Sequence, residues 1–439
     1  FSTDRYGGKN MKRINIGLLG YGTVGSGVAT ILINNQYDIS TRTGSNISIK
    51  KALVRNLLKE RPFSEQIAFT NNPDEIIEDP EIDIIVEVMG GIEPARSYII
   101  KSLQRGKHIV TANKDLLALH GDELFQIAEQ NKRELCFEAS VAGGIPIIAA
   151  IKQSLTANRL FSIMGIINGT TNYILSAMTE QGRDFQDVLQ EAQELGYAEA
   201  DPTSDIEGID AARKLAILST LAFNTKVNLS DVFVEGITKI TATDIQYAKE
   251  LDCVIKLLAI AKNRKRGIEV RVHPALLPKN HPLATVSGVY NAIYLTGDAI
   301  GEAMFYGQGA GSLPTGSAVV SDIIQIVKNI ASESKVIDSI NNYRNYPIKA
   351  AYDFTTSYYI RLKVKDEPRV FATMALYFAE AGISFKSIIQ KPRSNNNAEI
   401  VLVTHPCKES QLRQALDSLS SYEKLDKIYN VIRLEANCI

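Results

Sequence analysis

Between Ala192 and Lys214 the chain reads AQELGYAEADPTSDIEGIDAARK, and Glu199, Asp201, Asp205, Glu207 and Asp210 fall within twelve residues of it. Carboxylates this close repel one another unless something cationic answers them. Lys214 follows Asp210 by four residues, a spacing that puts the two on one face of a helix. Acids gathered around one lysine can grip an ammonium-bearing substrate and move a proton. The competing reading is a solvated acidic loop running into a surface helix, the usual fate of a charge run. The rest of the chain tips the balance towards chemistry.

A second constellation lies near the start. The apolar run 14–19 reads as a buried parallel strand and flows into Gly20-Tyr21-Gly22-Thr23-Val24-Gly25; residues 26–34 then space Val28, Ile31 and Leu32 as a helix does. In such a strand–turn–helix, Gly20 permits the tight turn, Gly22 lets backbone approach a pyrophosphate, and Gly25 seats the helix close to the strand. The helix start then offers free N–H groups to the phosphates. The second strand, 47–54, ends in Val54-Arg55-Asn56 with no acid to meet a ribose 2′-hydroxyl. Arg55 suits a 2′-phosphate, which favours NADP over NAD, unless it is merely an exposed arginine.

The elements that would position these groups alternate. Strands are expected at 82–88 and 108–111 and helices at 94–105 and 122–130, which predicts a doubly wound parallel sheet. Ligands bind at the carboxyl ends of such strands. Met89-Gly90-Gly91 and Thr111-Ala112-Asn113-Lys114 sit at two of these ends, so Lys114 falls where a nicotinamide or its substrate would lie, unless it is a solvated loop lysine. Further on, 135–141 reads as a strand, followed by Ala142-Gly143-Gly144-Ile145-Pro146, in which Pro146 can open a helix. Residues 163–168 form another strand before Gly169-Thr170-Thr171-Asn172, where Thr171 or Asn172 could cap a helix. Asp201-Pro202 and Glu207-Gly208 mark turns and leave Glu199 and Asp205 on loops; 210–220 is a helix burying Leu215, Leu218 and Leu221. Residues 268–272 and 290–296 are strands of a further sheet.

The totals narrow the class. A chain of 439 residues is too long for one core, so two or three domains are expected. A net charge of −1 gives no pull towards nucleic acid or an anionic membrane. The four cysteines form no metal-ligand spacing and suit a reducing cytoplasm. No apolar run reaches membrane-spanning length, and the first ten residues lack a signal-peptide core. Met11-Lys12-Arg13 has the look of a start, which would make 1–10 an addition.

The spacing Ala192, Gly196-Tyr197-Ala198, Asp201-Pro202, Asp205-Ile206, Gly208, Asp210 and Lys214 resembles the signature of homoserine dehydrogenases. Gly20 to Gly25 resembles that family's cofactor loop, and Thr111 to Lys114 its Ala-Asn-Lys element. Gly309-Ala310-Gly311, running into Pro314-Thr315 and Ser317-Ala318-Val319, looks like its return into the cofactor domain. The resemblance covers about residues 11–345. It implies interconversion of L-aspartate 4-semialdehyde and L-homoserine with NAD(P)H, in the route to threonine, isoleucine and methionine. It makes Lys214 the proton donor, Lys114 the lysine beside cofactor and substrate, Glu199 and Asp210 the substrate-binding acids, Asp205 a supporting acid, and Gly196 a backbone contact. Gly311 joins Gly20, Gly22, Thr23, Val24, Gly25, Arg55 and Lys114 at the cofactor. A monovalent cation, usually sodium, is implied on mainly backbone oxygens of Glu138, Val141, Gly143 and Ile145; a glycine-rich turn holding no ion is the alternative. A homodimer or homotetramer is implied through the middle domain. No aspartokinase-like segment precedes the cofactor domain, so a single-function enzyme is expected. Other readings are a related oxidoreductase for another amino-acid aldehyde or alcohol, and a non-catalytic amino-acid sensor.

Residues 338–350 read as a polar linker. Beyond it, strands at 358–364, 383–390, 399–404 and 428–434 and helices at 370–381 and 412–419 give the order βαββαβ, which is ferredoxin-like. With Asp366-Glu367-Pro368-Arg369-Val370 in its first turn the segment resembles an ACT domain, a module that often binds an amino-acid effector. Arg369 stands where that turn usually has glycine, which puts threonine sensing in doubt and leaves assembly as the alternative role. The expected division is therefore a cofactor domain at 11–140 completed by 312–340, a substrate and dimerisation domain at 141–311, and an ACT-like domain at 350–439.

Overall fold

The computed structural model of the chain describes residues 11–332, 344–393 and 396–436. Residues 1–10, most of the expected linker and Cys438 lie outside the described residues. Two compact units emerge: one runs to Leu155 and resumes at Gly307, and the other takes Thr156–Tyr306 and the chain from Arg344 onward.

The first unit is built on a six-stranded sheet in the order β3-β2-β1-β4-β5-β6. Its strands are β1 (Lys12–Leu19), β2 (Ser45–Leu53), β3 (Ala68–Thr70), β4 (Ile84–Glu87), β5 (His108–Thr111) and β6 (Leu135–Cys136). Every neighbouring pair is parallel. This is the doubly wound dinucleotide-binding order, whose switch point falls between β1 and β4. Ile14, Ile16 and Leu18 of β1 and Val28, Ala29 and Leu32 of the following helix meet in one apolar core with Val319, Ile323 and Ile326 of the helix Ser312–Ala331. That return helix comes from far along the sequence, beyond most of the second unit's strands, and completes the layer against the helix Thr23–Asn34. Gly27 makes the crossing tight: a Cβ there would lie 2.1 Å from the Ser312 carbonyl oxygen, and one on Gly316 would lie 2.9 Å from the Gly27 carbonyl carbon.

Two sequence expectations for this unit need correction. The helix expected at 122–130 spans Lys114–Gln130, because the Asn113 side chain accepts the Leu116 N–H and starts it early. The strand expected at 135–141 stops at Cys136 and turns into a 3-10 segment, Glu138–Ser140. There the Glu138 N–H donates to the Asp322 carboxylate at 2.8 Å, and its own carboxylate accepts the N–H groups of Ile148 and Ala149. These buried bonds draw the chain off the sheet.

The second sheet has eleven strands. Its main path is β12-β11-β7-β9-β10-β17-β13-β15-β14, with β8 on β10 and β16 on β13. The strands are β7 (Leu160–Ile166), β8 (Phe233–Val234), β9 (Cys253–Arg264), β10 (Gly267–Pro278), β11 (Tyr290–Gly297), β12 (Gly301–Gln308), β13 (Thr355–Lys365), β14 (Phe385–Arg393), β15 (Asn397–Thr404), β16 (Cys407–Lys408) and β17 (Leu425–Leu434). The helices Gly169–Gln181 and Ile209–Phe223 pack on β9. The last ninety residues carry the expected alternation, with helices Val370–Glu380 and Glu409–Ser420 between their strands and a core of their own around Tyr358, Leu362, Met374 and Phe378. Their sheet does not stand apart. β17 pairs parallel with β10 at Ala275 and Leu276, so the sheet runs on unbroken from the middle of the chain to its end.

Candidate active site

At the first turn, Gly20 has φ +108, a conformation that favours glycine, and a Cβ on Gly25 would lie 2.3 Å from the Gly20 carbonyl oxygen. Gly22 is different: a Cβ there would meet nothing within 4 Å. The space beside it is open. The helix that begins at Thr23 has no side-chain cap and no acid in its first turn, so its N-terminal N–H groups and positive dipole end suit an anion. Ser312 Oγ donates to the Thr23 carbonyl at 2.7 Å and ties the return helix to this turn; Gly311 before it has φ +125. Thr23 is exposed, Val24 half-buried, and Arg55 exposed just past the end of β2, with no acid beside it in sequence. These residues fit a dinucleotide.

Glu87, fully buried at the end of β4, organises the neighbouring strand ends. Its carboxylate accepts the N–H groups of Met89 and Gly90 and the Thr111 hydroxyl at 2.7 Å. Thr111 Oγ1 in turn accepts the Asn113 N–H, and Asn113 Nδ2 donates to the Gly91 carbonyl at 2.7 Å. The two loops flanking this strand end are thereby locked to each other. Lys114 sits in the first turn of the helix that Asn113 caps, half-buried, on an element rather than a loop.

The acid cluster belongs to the second unit. Lys214 is 9% exposed and Asp210 3%, which excludes the solvated-loop reading for both. Lys214 Nζ donates to Asp210 Oδ2 at 2.6 Å and to the Ile167 carbonyl at 2.8 Å. Asn168, at the end of β7, joins the acids: its Nδ2 donates to Asp205 Oδ1 at 2.7 Å and to Asp210 Oδ2 at 2.9 Å. Its Oδ1 accepts from Thr171, so Asn168 and not Thr171 or Asn172 caps the helix Gly169–Gln181. Thr170 Oγ1 bridges Asp205 Oδ2 and the Tyr197 carbonyl. Asp205 lies in a short helix, Thr203–Ile206, where a loop was expected. Gly208, at φ +79, then redirects the chain so that Asp210 and Lys214 point inward from the helix Ile209–Phe223. Glu199 and Gly196 (φ +75) are exposed at the edge of this cluster, in the loop that Gln193 fastens by donating to the Glu199 carbonyl. The structure thus joins Asp205, Asp210 and Lys214 in one hydrogen-bonded set, with Glu199 and Gly196 on the loop beside it.

Glu87, Asn168, Thr170 and Ser312 were not singled out from the sequence. Each lies at the end of a strand or the start of a helix, so the sequence offered only a polar residue at an element's end, which does not say what that residue contacts.

The loop expected to hold a cation is tightly shaped. Ala142 and Gly143 have φ +56 and +52, and a Cβ on Gly143 would lie 2.4 Å from the Gly309 carbonyl oxygen. The Gly144 N–H donates to the Gln308 carbonyl at 3.0 Å. Val141 and Ile145 are buried. Burial pushes the Glu138 carboxyl above the usual range, and it pushes Asp322 up to about 8. Both Glu138 oxygens are committed to helix amides, so backbone carbonyls remain as the hard-oxygen donors a monovalent ion would use. Among the described residues no group of three or more His, Cys, Asp or Glu could hold a metal ion, and Cys136, Cys253 and Cys407 are buried. No helix is long and apolar enough to cross a membrane.

A parallel sheet with an unobstructed glycine turn, in one chain with a buried lysine–carboxylate set, defines the class: a nicotinamide-dependent oxidoreductase. The comparisons name the family. Residues 146–324 match the family model of homoserine dehydrogenase, and residues 20–138 match that of its NAD-binding domain. The homoserine dehydrogenase of Bacillus subtilis (strain 168) is 43% identical over 97% of this chain and 99% of its own. That of Synechocystis is 46% identical over 96% and 99%. Among solved structures, the homoserine dehydrogenase of Thiobacillus denitrificans superposes with a TM-score of 0.93 at 43% identity, covering 97% of this chain and 99% of that one. A hyperthermophilic archaeal homoserine dehydrogenase in complex with NADPH matches with a TM-score of 0.61 at 27% identity, over 72% of this chain and 97% of its own. The chain belongs to the homoserine dehydrogenase family, NAD(P)-dependent oxidoreductases acting on a CH–OH group.

Proposed function

We propose that this chain interconverts L-homoserine and L-aspartate 4-semialdehyde with Lys214 Nζ as the group that moves the proton, in the route to threonine, isoleucine and methionine. The observation that carries this is the buried Lys214 amine, fixed between Asp210 Oδ2 and the Ile167 carbonyl. When bound, the nicotinamide supplies or takes the hydride at the substrate's terminal carbon. In the reductive direction the carbonyl oxygen gains negative charge, and Lys214 Nζ gives it a proton; in the oxidative direction the same nitrogen takes the hydroxyl proton. Asp210 orients the amine and, with Glu199, accepts hydrogen bonds from the substrate ammonium. Asp205 acts through Asn168, which holds both acids. Gly196 offers its backbone to the substrate. In the first unit Lys114, at the carboxyl end of β5, serves the cofactor and substrate.

Cofactor residues on this reading are Gly20, Gly22, Thr23, Val24, Gly25, Arg55, Lys114 and Gly311. Arg55 and the lack of an acid at the end of β2 favour NADP over NAD. Carbonyl oxygens of Glu138, Val141, Gly143 and Ile145 suit sodium or another monovalent cation, which would brace the loop rather than take part in chemistry. The assembly is a homodimer or homotetramer. The strand order β17-β13-β15-β14 supports an ACT-like reading of the last ninety residues. Arg369 adopts φ +71, so the turn keeps the backbone that glycine usually supplies there with a side chain added; binding of an amino-acid effector and a purely assembly role are the two readings of this segment, separated by whether threonine changes the rate. Initial rates of homoserine oxidation with NADP and with NAD, in sodium and in choline buffers, and with and without threonine, test these points together. Faster turnover with NADP and dependence on sodium are expected. Turnover of other amino alcohols with none of homoserine would contradict the substrate assignment.

A further inference from the structure

The short helix Thr203–Ile206, which carries Asp205, rests on a segment far away in sequence. The Ile237 N–H donates to the Ile206 carbonyl at 2.8 Å. Gly236 lies so close beneath this turn that a Cβ on it would stand 2.4 Å from the Ile206 carbonyl oxygen and 2.6 Å from Glu207 Cα. Gly236 has no left-handed φ, so glycine is needed there for room alone. Just before it, Glu235 donates its N–H to the Val272 carbonyl of β10 and receives Arg433 Nη1 of β17 on its carboxylate at 2.7 Å.

Arg433 is itself rigidly held. Its side chain is 6% exposed, its Nε and Nη2 donate to Glu409 at 3.2 and 2.9 Å, and its guanidinium lies 4.6 Å from the Phe233 ring centre. Tyr358 also donates to Glu409, at 2.8 Å. A continuous set of polar contacts therefore leads from the C-terminal βαββαβ segment to the substrate acids. It runs Glu409–Arg433–Glu235, then through the Gly236–Ile237 backbone to Ile206 and Asp205, and by Asn168 to Asp210 and Lys214.

We propose that Glu235, Gly236 and Arg433 are positioning residues for the homoserine side of the reaction, and that through them the C-terminal segment sets the placement of Asp205. The inference rests on the function given above for Asp205, Asp210 and Lys214. It assigns the C-terminal segment a role in substrate affinity that needs no bound effector.

The test compares Glu235→Gln, Gly236→Ala and Arg433→Lys with the full-length wild type in homoserine oxidation, with circular dichroism and thermal melting as fold controls. Glu235→Gln is near-isosteric at a side chain 30% exposed, and it keeps the test decisive if Gly236→Ala fails to fold. Glu235→Gln should raise the homoserine KM about two- to thirtyfold, the range of coupling through a packed contact. The KM for NADP and the melting point should stay near wild type, and Arg433→Lys should fall between wild type and Glu235→Gln. Adding Glu235→Gln to Asp205→Asn should raise KM no further, because both changes act on one carboxylate. Unchanged homoserine KM in Glu235→Gln and Gly236→Ala, equal shifts in the KM values of homoserine and NADP, or full additivity with Asp205→Asn would each overturn the inference. A wild-type enzyme inactive on homoserine would instead overturn the functional reading beneath it.

Discussion

Asp322 shows how burial at a single residue reaches the pH dependence of the whole. Its carboxyl is pushed up to about 8 by burial, against the Glu138 N–H that favours the ionised form. In an unfolded chain it would ionise near its ordinary value of about 4. The folded protein therefore holds a proton that the unfolded chain has released, and stability falls as pH climbs from about 4 to about 8. Asp322→Asn keeps an acceptor for the Glu138 N–H and carries no charge. Its melting point should be flatter than wild type's between pH 5 and about 8, and identical slopes would refute the assignment. The residues to which the chemistry is assigned under the proposed function were the most legible in the sequence, because Asp210 and Lys214 announce themselves by helical spacing and the glycine turn by its own pattern. Asn168 and Glu87 were not, since one amide or carboxylate after an apolar run looks the same whether it caps a helix or locks two loops. Only the contact partners, 24 to 42 residues away in sequence, separate the two.

At the scale of elements the decisive feature is how closely backbones approach. Gly25 and Gly27 fall in the same helix but answer to different neighbours. A methyl on Gly25 would strike the Gly20 carbonyl and deform the turn, so Gly25→Ala should abolish dinucleotide binding, read by NADPH fluorescence. A methyl on Gly27 would strike Ser312 of the return helix. Gly27→Ala should mainly destabilise the first unit, by about 1–3 kcal/mol, as overpacking does. Denaturant midpoints of both variants separate the effects; equal loss of cofactor binding in both would contradict the distinction. The strand–helix alternation of the first unit was readable because β1 and β4 carry short, mostly apolar buried runs and β2 alternates buried Ile47 and Ile49 with polar residues. The shortening of β6 and the early start of the helix at Lys114 were not: the first follows from the bond between Glu138 and distant Asp322, and the second from a local cap by Asn113 that the reading of the sequence passed over. In the second sheet β7, β10, β11, β13, β14, β15 and β17 were read at least in part, but β8, β9, β12 and β16 were missed, and so was the fusion through β17 and β10, which depends on two residue pairs.

At the scale of the whole molecule, buried charge ties the end of the chain to the middle strands of the second unit. Glu435 accepts from Lys262 Nζ at 2.6 Å and from Arg271, whose side chain is fully buried. Burial alone would raise the Glu435 carboxyl, but Arg271 and Lys262 outweigh it and hold it down to about 2. The bond therefore persists throughout the neutral range. Removing one member of such a set leaves the others uncompensated, and Glu435→Gln should cost about 3–5 kcal/mol. The loss should appear in the calorimetric transition of the second unit, with NADPH affinity unchanged. A single transition shifted together with NADPH affinity would show that the two units do not respond separately.

The most direct test of the account is the rate of homoserine oxidation by Lys214→Met, measured beside wild type at saturating NADP. If Lys214 Nζ carries the proton, the variant should keep its circular dichroism spectrum and its NADPH affinity and lose about 10²–10⁴-fold in kcat. Turnover at the wild-type rate would contradict the account, because no proton could then be passing through that nitrogen.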